Sequence, residues 1–349
     1  MIIKSVLEDI RPLDIESMQK AINRLNSLTK PIGSLGVLED LAVQLAGITG
    51  DVIPMLRSKM VIVMAGDHGV VEEGVSAAPQ SVTPQMVYNF LKGGAGINVL
   101  ARLAGAEVRV VDVGVADPTL QDPHLISRKV RLGTANMTKG PAMTRQEAIK
   151  AIEVGIEIAQ TQIEEGINVL ATGEMGIGNT TSSSAILATY SDMPLSVIVG
   201  PGVGLNVGGV ERKVKAIGSA LEVNRPDPND PIDVLAKVGG LEIAGMTGLI
   251  LGCATRRTPV VIDGFISGAA ALIASKLAPR AKDYIIASHL SEEPGHKVLL
   301  EVIGLKPMLH MRMRLGEGTG AALAFNVIEA ANRIMSEMAT FDEARVIMD

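Results

Sequence analysis

Val61-Ile-Val-Met64 is a continuously apolar run, and the polar pair Asp67-His68 follows it closely. Five further runs rich in β-branched residues recur along the chain, at 108–113, 168–171, 196–199, 260–262 and 284–287. Strands with one face in water alternate apolar and polar residues, whereas continuous apolar runs are typical of strands covered on both faces in a parallel sheet. The runs therefore predict an α/β fold with a mostly parallel, six-stranded, Rossmann-like sheet flanked by helices.

Helical patterns separate and flank these runs. Thr144-Arg-Gln-Glu147 has the residues of a capping box and predicts a helix that continues to about residue 164. The alanine-rich stretch 269–277 predicts a helix packed closely on the sheet. Apolar residues recur at helical spacing within the first fifty positions, and 321–338 is also helical in pattern.

These patterns indicate a small helical domain that is built from both termini. We expect residues 1–57 to form its N-terminal part and 58–312 to form the α/β domain. Residues 313–349 would then supply a loop to the functional site and a C-terminal helix that returns to the small domain.

Each apolar run ends in a polar or glycine-rich step. The steps are Asp67-His68, Gly114, Gly173-Glu174, 200–204, Asp263-Gly264 and Ser288-His289. In open parallel α/β sheets, ligands bind beyond the carboxyl ends of the strands. We therefore expect all six steps to line one site.

Composition narrows the classes of partner. A formal net charge of −6 and a pI near 5.5 disfavour nucleic acid or an anionic membrane, because either would repel most of the surface. The single Cys253 excludes an internal disulfide and a multi-cysteine zinc site, which fits a reducing cytosol. Residues 1–10 carry charges where a signal peptide needs an apolar stretch, so we expect a cytoplasmic protein.

Two glutamates stand in glycine-rich segments. Glu317 lies in Leu315-Gly-Glu-Gly-Thr-Gly320, and Glu174 lies in the segment 172–181. Glycine neighbours permit backbone angles that other residues avoid and let a substrate approach the carboxylate closely. Both acids are therefore candidates for catalysis, although Glu317 could also be a solvated loop acid and Glu174 could simply cap the helix that begins after Asn179.

Two glycine-rich loops are candidate phosphate sites. Gly176-Ile-Gly-Asn-Thr-Thr181 offers N–H groups and hydroxyls at a predicted helix N-terminus, where an anion is favoured, although Asn179 or Thr180 could simply cap the helix. Gly200-Pro-Gly-Val-Gly204 is the second candidate, but it lacks the spacing of a dinucleotide-binding loop.

Two alternatives remain open from the residues alone. Asp67, His68, Asp263 and His289 follow apolar runs and could hold a metal in a phosphoesterase, although none has a second ligand at a recognisable spacing. The chain could also be a regulatory module that binds a nucleotide or a corrinoid without catalysis.

Eight segments taken together and in order resemble the family of nicotinate-nucleotide:dimethylbenzimidazole phosphoribosyltransferases. They lie at 28–39, 65–70, 89–100, 173–181, 239–248, 263–265, 288–289 and 314–320. The resemblance implies transfer of phosphoribose from nicotinate mononucleotide to 5,6-dimethylbenzimidazole, with anomeric inversion, for cobalamin synthesis. It also implies no metal, no cofactor and a homodimer.

The resemblance further implies roles for individual residues. Glu317 matches the general base, and Glu174 would hold ribose hydroxyls, support Glu317 or cap a helix. The residues expected to bind the nucleotide and its phosphate are Gly176, Ile177, Gly178, Asn179, Thr180, Thr181, Gly202, Val203, Gly204, Lys213, Asp263 and Ser291. The residues expected around the base are Gln85, which would face a benzimidazole nitrogen, and the apolar Met86, Met175 and Leu315.

Overall fold

Six parallel strands form a single sheet in the computed structural model, which describes residues 2–347. The spatial order is β3-β2-β1-β4-β5-β6, and every neighbouring pair is parallel. The strands are β1 (Lys59–Gly66), β2 (Ala106–Gly114), β3 (Leu125–Ser127), β4 (Val169–Met175), β5 (Val260–Ile262) and β6 (Ile285–Ala287). The predicted six-stranded parallel α/β sheet is confirmed.

Fifteen α-helices surround this sheet in the described residues. Those in the first half of the chain are α1 (Ile2–Asp9), α2 (Ile15–Ser27), α3 (Val37–Thr49), α4 (Val82–Leu91), α5 (Gly96–Leu103), α6 (Arg145–Glu164) and α7 (Asn179–Tyr190). The others are α8 (Leu195–Ile198), α9 (Val207–Asn224), α10 (Pro231–Val238), α11 (Leu241–Thr255), α12 (Phe265–Leu277), α13 (Gly295–Ile303), α14 (Thr319–Glu337) and α15 (Phe341–Ala344). Two 3-10 helices cover Gly69–Glu73 and Pro279–Tyr284. No helix in this part of the chain is both long enough and apolar enough to cross a membrane.

Both faces of the sheet are covered by apolar side chains. In β1, Ile62 and Met64 contribute to one core cluster, whereas Val61 and Val63 contribute to another. Helices α6, α11 and α12 supply the first cluster, and α4, α5 and the first half of α14 supply the second. The double coverage explains why β1 is apolar at successive positions.

One predicted strand is wrong. Residues 196–199 belong to the short helix α8 and the residue that follows it, and the remaining place in the sheet is taken by β3. Val197 is 45% exposed, which is incompatible with a central strand buried on both faces. β3 escaped detection because it has only three residues and pairs on one side only, with β2.

Both termini contribute to a small helical unit, as predicted. Helices α2 and α3 bury Leu25 and Ala46 in a separate cluster with Met335 near the end of α14. Leu28 pairs with Thr340 in an isolated antiparallel bridge. The exact domain boundaries at 57 and 312 stay a prediction.

The capping box before α6 is confirmed, because Thr144 Oγ1 accepts a hydrogen bond from Glu147 N–H and the Glu147 carboxylate accepts one from Thr144 N–H. This helix packs unusually close to α11. A Cβ atom added at Gly155 would lie 1.9 Å from the Gly245 carbonyl oxygen, and one at Gly248 would lie 1.9 Å from the Ile152 oxygen. Absent side chains therefore set the distance between the two helices.

Gly155→Ala should destabilise the protein by about 1 to 3 kcal/mol, because the new methyl group has to push two backbones apart. Gly218→Ala is the matched control, since Gly218 also lies within a helix but its Cβ would make only an ordinary 3.9 Å contact. The control should gain about 0.5 to 1 kcal/mol from reduced backbone entropy of the unfolded chain. Urea unfolding of both variants measures the difference, and equal stabilities would contradict the packing argument.

Candidate active site

A cavity of about 250 Å³ opens at the carboxyl ends of β4, β5 and β6. Its wall combines acidic groups, glycines and apolar side chains. The lining residues are Ala78, Val82, Met86, Glu174, Met175, Gly176, Ile177, Asn179, Thr180, Gly202, Val203, Asp263, Gly264, Phe265, Ile266, Ser267, His289, Ser291, Glu293, Arg314, Leu315, Gly316 and Glu317.

Glu317 lies on a tight turn at the entrance to α14. Its φ of 65° is in the left-handed region, as are the φ angles of Gly316 and Gly318. A non-glycine residue held there costs about 1 to 3 kcal/mol, so its surroundings must stabilise the turn. One oxygen of the Glu317 carboxylate, Oε2, accepts a hydrogen bond from Ile97 N–H at 3.1 Å. Burial raises the pKa of Glu317, which makes the carboxylate a stronger base than a free glutamate.

Glu174 lies at the end of β4, directly beneath this turn. Its Oε1 accepts a hydrogen bond from Glu317 N–H at 3.3 Å, and its Oε2 accepts one from the Asn179 side chain. Burial, and then the charges of Asp263 and Glu242, raise the pKa of Glu174 to about 8. Glu174 therefore supports the Glu317 turn and holds a proton over much of the neutral range.

Asp263 follows β5 and contacts the same turn from another side. Its Oδ2 accepts a hydrogen bond from Gly318 N–H at 3.0 Å. Its Oδ1 accepts hydrogen bonds from Gly320 N–H at 2.7 Å and from Ala321 N–H at 3.2 Å. These three N–H groups have no acceptor within α14 because they lie at its N-terminus, where a negative charge is favoured.

The predicted helix N-terminus at 176–181 is confirmed, because α7 begins at Asn179 with Gly178 in the left-handed conformation before it. Neither Asn179 nor Thr180 caps the helix with its side chain. Asn179 instead donates to Glu174. The N-terminus of α7 thus faces the cavity as a site suited to an anion.

Lys213 lies behind this wall and is fully buried. Its Nζ donates to Thr180 Oγ1 at 2.8 Å and to the Gly200 carbonyl oxygen at 3.0 Å. Burial lowers the pKa of Lys213 to about 8, although the Glu293 charge acts in the opposite direction. A phosphate bound near Thr180 would therefore have an ammonium group close behind it.

Glu293 was missed by sequence reasoning, and it organises the second glycine loop. Its Oε1 accepts a hydrogen bond from Gly202 N–H at 3.1 Å, while burial raises its pKa. Arg314 was recognised only as part of a motif, yet it lines the mouth of the cavity. The contact between Glu293 and Gly202 joins residues 91 positions apart, so a single sequence carries no local signal of it.

The apolar end of the cavity contains Met86, Met175 and Leu315, as predicted. Gln85 does not line it. The segment 82–91 is the helix α4, in which adjacent side chains point about 100° apart. Met86 faces the cavity together with Val82, one turn earlier, and Gln85 is left on the exposed side.

Several other expected residues lie outside the lining. Gly178 packs against Val71 and His68, Thr181 is buried within α7, and Gly204 is exposed. The expectation that all six polar steps line one site is also wrong for Asp67-His68 and Gly114. A Cβ atom at Gly114 would lie 2.2 Å from Leu241, and the Asp67 carboxylate accepts a hydrogen bond from Ala116 N–H at 2.8 Å.

His68 belongs to a buried chain of polar groups that the sequence did not reveal. Its Nε2 lies 2.6 Å from Glu242 Oε1, and its Nδ1 lies 3.0 Å from Ser182 Oγ. Asp263 and His289 meet elsewhere, with 3.7 Å between Oδ1 and Nδ1. Within residues 2–347, no group of three or more His, Cys, Asp or Glu side chains is arranged to hold a metal ion. The described residues therefore provide no set of metal ligands for the phosphoesterase hypothesis.

Comparison with known proteins agrees with this geometry. The sequence profile of a family described as Phosphoribosyltransferase matches residues 10–346. Nicotinate-nucleotide--dimethylbenzimidazole phosphoribosyltransferases from Desulforamulus reducens and Geobacter sulfurreducens are 58% and 56% identical over 99% of this chain, covering 99% and 98% of those proteins.

A solved structure extends the likeness to three dimensions. The crystal structure of the enzyme with that name from Thermus thermophilus superposes with a TM-score of 0.91 at 47% identity, over 97% of this chain and all of the other. The chain therefore belongs to the nicotinate-nucleotide--dimethylbenzimidazole phosphoribosyltransferase family, and it is a pentosyltransferase.

Proposed function

We propose that this enzyme transfers phosphoribose from nicotinate mononucleotide to 5,6-dimethylbenzimidazole with inversion at the anomeric carbon. The products are α-ribazole 5'-phosphate and nicotinate, and the reaction serves assembly of the nucleotide loop of cobalamin. The observation that carries the proposal is the buried Glu317 carboxylate on its left-handed turn, in a cavity whose wall also contains the N-terminus of α7. A homodimer in the cytoplasm, implied by the family resemblance, is part of this proposal.

The chemistry requires only one proton transfer. In the mononucleotide the nicotinate ring is a positively charged pyridinium. It takes the electrons of the broken C–N bond and departs with a neutral ring nitrogen, so it needs no proton donor. The incoming benzimidazole must lose its N–H proton, and the Glu317 carboxylate is the group we assign to take it. Inverting glycosidases differ in this respect, because they need an acid and a base together.

The phosphate would bind near the N-terminus of α7, where the wall has hydrogen-bond donors and the Lys213 ammonium group lies behind it, beside the Glu293 carboxylate that accepts Gly202 N–H. The N-terminus of α7, the Thr180 hydroxyl and the Gly202 loop line this part of the cavity, and Lys213 lies directly behind them. Fixing the phosphate there would hold the anomeric carbon for in-line attack, and such positioning lowers the barrier substantially. Ser291 and Asp263 both line the cavity, and we keep Ser291 as a proposed contact of the nucleotide.

The base would lie at the apolar end, between the thioethers of Met86 and Met175 and the side chain of Leu315. Leu315 is 62% exposed, so it can cover a bound ring without a large loss of existing contacts. Gln85 has no place in this arrangement because it lies on the exposed side of α4. We propose Glu174 as the support of the Glu317 turn and as a source of negative potential when it is ionised.

Glu317→Gln should lower kcat by about 10²- to 10⁴-fold, because glutamine keeps the shape and the contact to Ile97 N–H but cannot accept the proton. Substrate binding should survive. Steady-state turnover of both substrates measures the effect, with Glu174→Gln for comparison. Near-normal turnover of Glu317→Gln beside an inactive Glu174→Gln would reverse the two roles, and activity in both variants would end the proposal.

The wild-type rate should fall on the acidic side at a higher pH than a free glutamate would require. Burial raises the pKa of Glu317, so the carboxylate becomes protonated and inactive as the pH falls through that raised value. A pH profile of kcat/KM for the benzimidazole locates this acidic limb, which is the pH range over which the rate falls as the pH decreases. A limb at the ordinary glutamate value, near 4.5, would contradict the assignment.

Lys213→Ala should raise KM for the mononucleotide roughly tenfold to a hundredfold, because the ammonium group behind Thr180 is lost. This corresponds to about 1.5 to 3 kcal/mol, the range for a charge-assisted interaction with the phosphate. KM for the base should stay nearly unchanged. Lys215→Ala is the matched control, because Lys215 is an exposed lysine on the same helix. In the wild type, the affinity for nucleotide should decline as the pH rises through about 8, where Lys213 loses its proton. An unchanged nucleotide KM would assign the phosphate to the N-terminus of α7 alone.

Extensive EDTA treatment should leave turnover unchanged, because the donor has one phosphate and no diphosphate for a metal to clamp. Metal analysis and product analysis in the same preparation complete this test. Stoichiometric zinc or manganese, with activity lost on its removal, would favour the metal-dependent phosphoesterase. Binding of nicotinate mononucleotide without any product would favour a non-catalytic module.

A further inference from the structure

Every N–H group from Glu317 to Ala321 donates a hydrogen bond. Glu317 N–H donates to Glu174, and Thr319 N–H donates to the Gly316 carbonyl oxygen at 3.0 Å. The remaining three N–H groups, those of Gly318, Gly320 and Ala321, all donate to the carboxylate of Asp263. One buried side chain therefore accepts most of the hydrogen bonds that this turn can donate.

Asp263 is well placed to fix the turn. It directly follows β5, a strand buried at every position, and the side chain itself is 2% exposed. Both of its oxygens are engaged, so any displacement of the carboxylate disturbs the positions of Gly318 and Gly320 on either side of Thr319. The left-handed backbone of Glu317 lies immediately before this anchored segment.

We propose that Asp263 is a positioning residue for the catalytic base, holding the 316–320 turn in the conformation that places the Glu317 carboxylate in the cavity. This inference rests on the proposed function, in which Glu317 removes the proton from the benzimidazole. The direct nucleotide contact that the sequence implied for Asp263 is the competing role.

The charge of Asp263 gives the proposal a second, electrostatic consequence. After burial, the Asp263 carboxylate is the other influence that raises the pKa of Glu317, against hydrogen bonds from Ile97 and Gly96 N–H. The other titratable or charged side chains at this turn are Glu174 from the end of β4, His289 after β6, and Arg314 from the segment that leads into the turn. Removing the Asp263 charge should lower the pKa of Glu317 and weaken it as a base.

Asp263→Asn tests the proposal in the full-length enzyme. The amide keeps the size of the side chain, but its NH2 group cannot accept the backbone N–H groups and its charge is gone. We expect kcat to fall about 10- to 100-fold, as a misplaced catalytic group would cause. KM for the mononucleotide should change less than about threefold, and the acidic limb of the pH profile should move to lower pH.

A double-mutant cycle separates action through Glu317 from action on the nucleotide. In the Glu317→Gln background, Asp263→Asn should cost less than about threefold in kcat, because the base it positions is already absent. Asp263→Glu retains the charge, so its acidic limb should stay near that of the wild type while kcat falls through the displaced carboxylate.

Asp67→Asn is the matched control for loss of a buried carboxylate. Asp67 also follows a central strand and also accepts a backbone N–H, from Ala116, but it does not contact the Glu317 turn. Like Asp263→Asn, this variant should lose thermal stability, but the acidic limb of its pH profile should stay at the wild-type pH. A limb shift in Asp67→Asn equal to that in Asp263→Asn would contradict a specific role.

Two other outcomes would overturn the inference. A raised nucleotide KM with intact kcat and an unmoved limb would make Asp263 a direct contact of the nucleotide. An equal loss of kcat in the wild-type and Glu317→Gln backgrounds would show that it acts independently of the base. Failure of the wild-type enzyme to turn over the two substrates would instead contradict the proposed function itself.

Discussion

Coverage of both faces of the parallel sheet is the constraint on which the rest of this structure depends. Apolar side chains from β1 enter two different cores, so neither face offers room for a ligand or for unpaired polar groups. At the carboxyl ends of the strands, the backbone leaves the two apolar cores. Polar residues concentrate there, and Glu174, Asp263 and His289 come from the ends of three adjacent strands.

The clustering of buried acids at this edge of the sheet can be explained energetically. Buried carboxylates are costly unless hydrogen bonds compensate the lost hydration. Glu174 and Asp263 obtain this compensation largely from N–H groups of the Glu317 turn, and the turn in turn needs acceptors to maintain its left-handed backbone. The acids and the turn therefore stabilise one another, and burial raises the pKa values of Glu174, Asp263 and Glu317, with a smaller contribution from neighbouring acids at Glu174 and Glu317.

Much of the fold and part of the site could be predicted from sequence, for identifiable reasons. Continuous apolar runs marked the long strands, and glycines on both sides marked Glu317 as an unusual backbone position. The three-residue strand β3 was missed and the four-residue helix α8 was taken for a strand, because neither is long enough to repeat its period twice. Gln85 is next to Met86 in the sequence but lies on the exposed side of α4, which only the helix geometry reveals. The roles of Glu293 and Glu242 depend on contacts between distant segments, for which a single sequence carries no local signal.

Helix α14 extends from the Glu317 turn to the cluster that α2 and α3 form. Its first turn follows the Glu317 loop, and its last turn packs among α2 and α3, where Thr29 N–H donates to the Ala339 carbonyl oxygen just beyond it. With 19 residues, the helix is about 28 Å long. We expect a tilt of this helix to move the Glu317 turn at its opposite end. The terminal helices α2, α3 and α14 would then contribute to the mechanical support of the candidate active site.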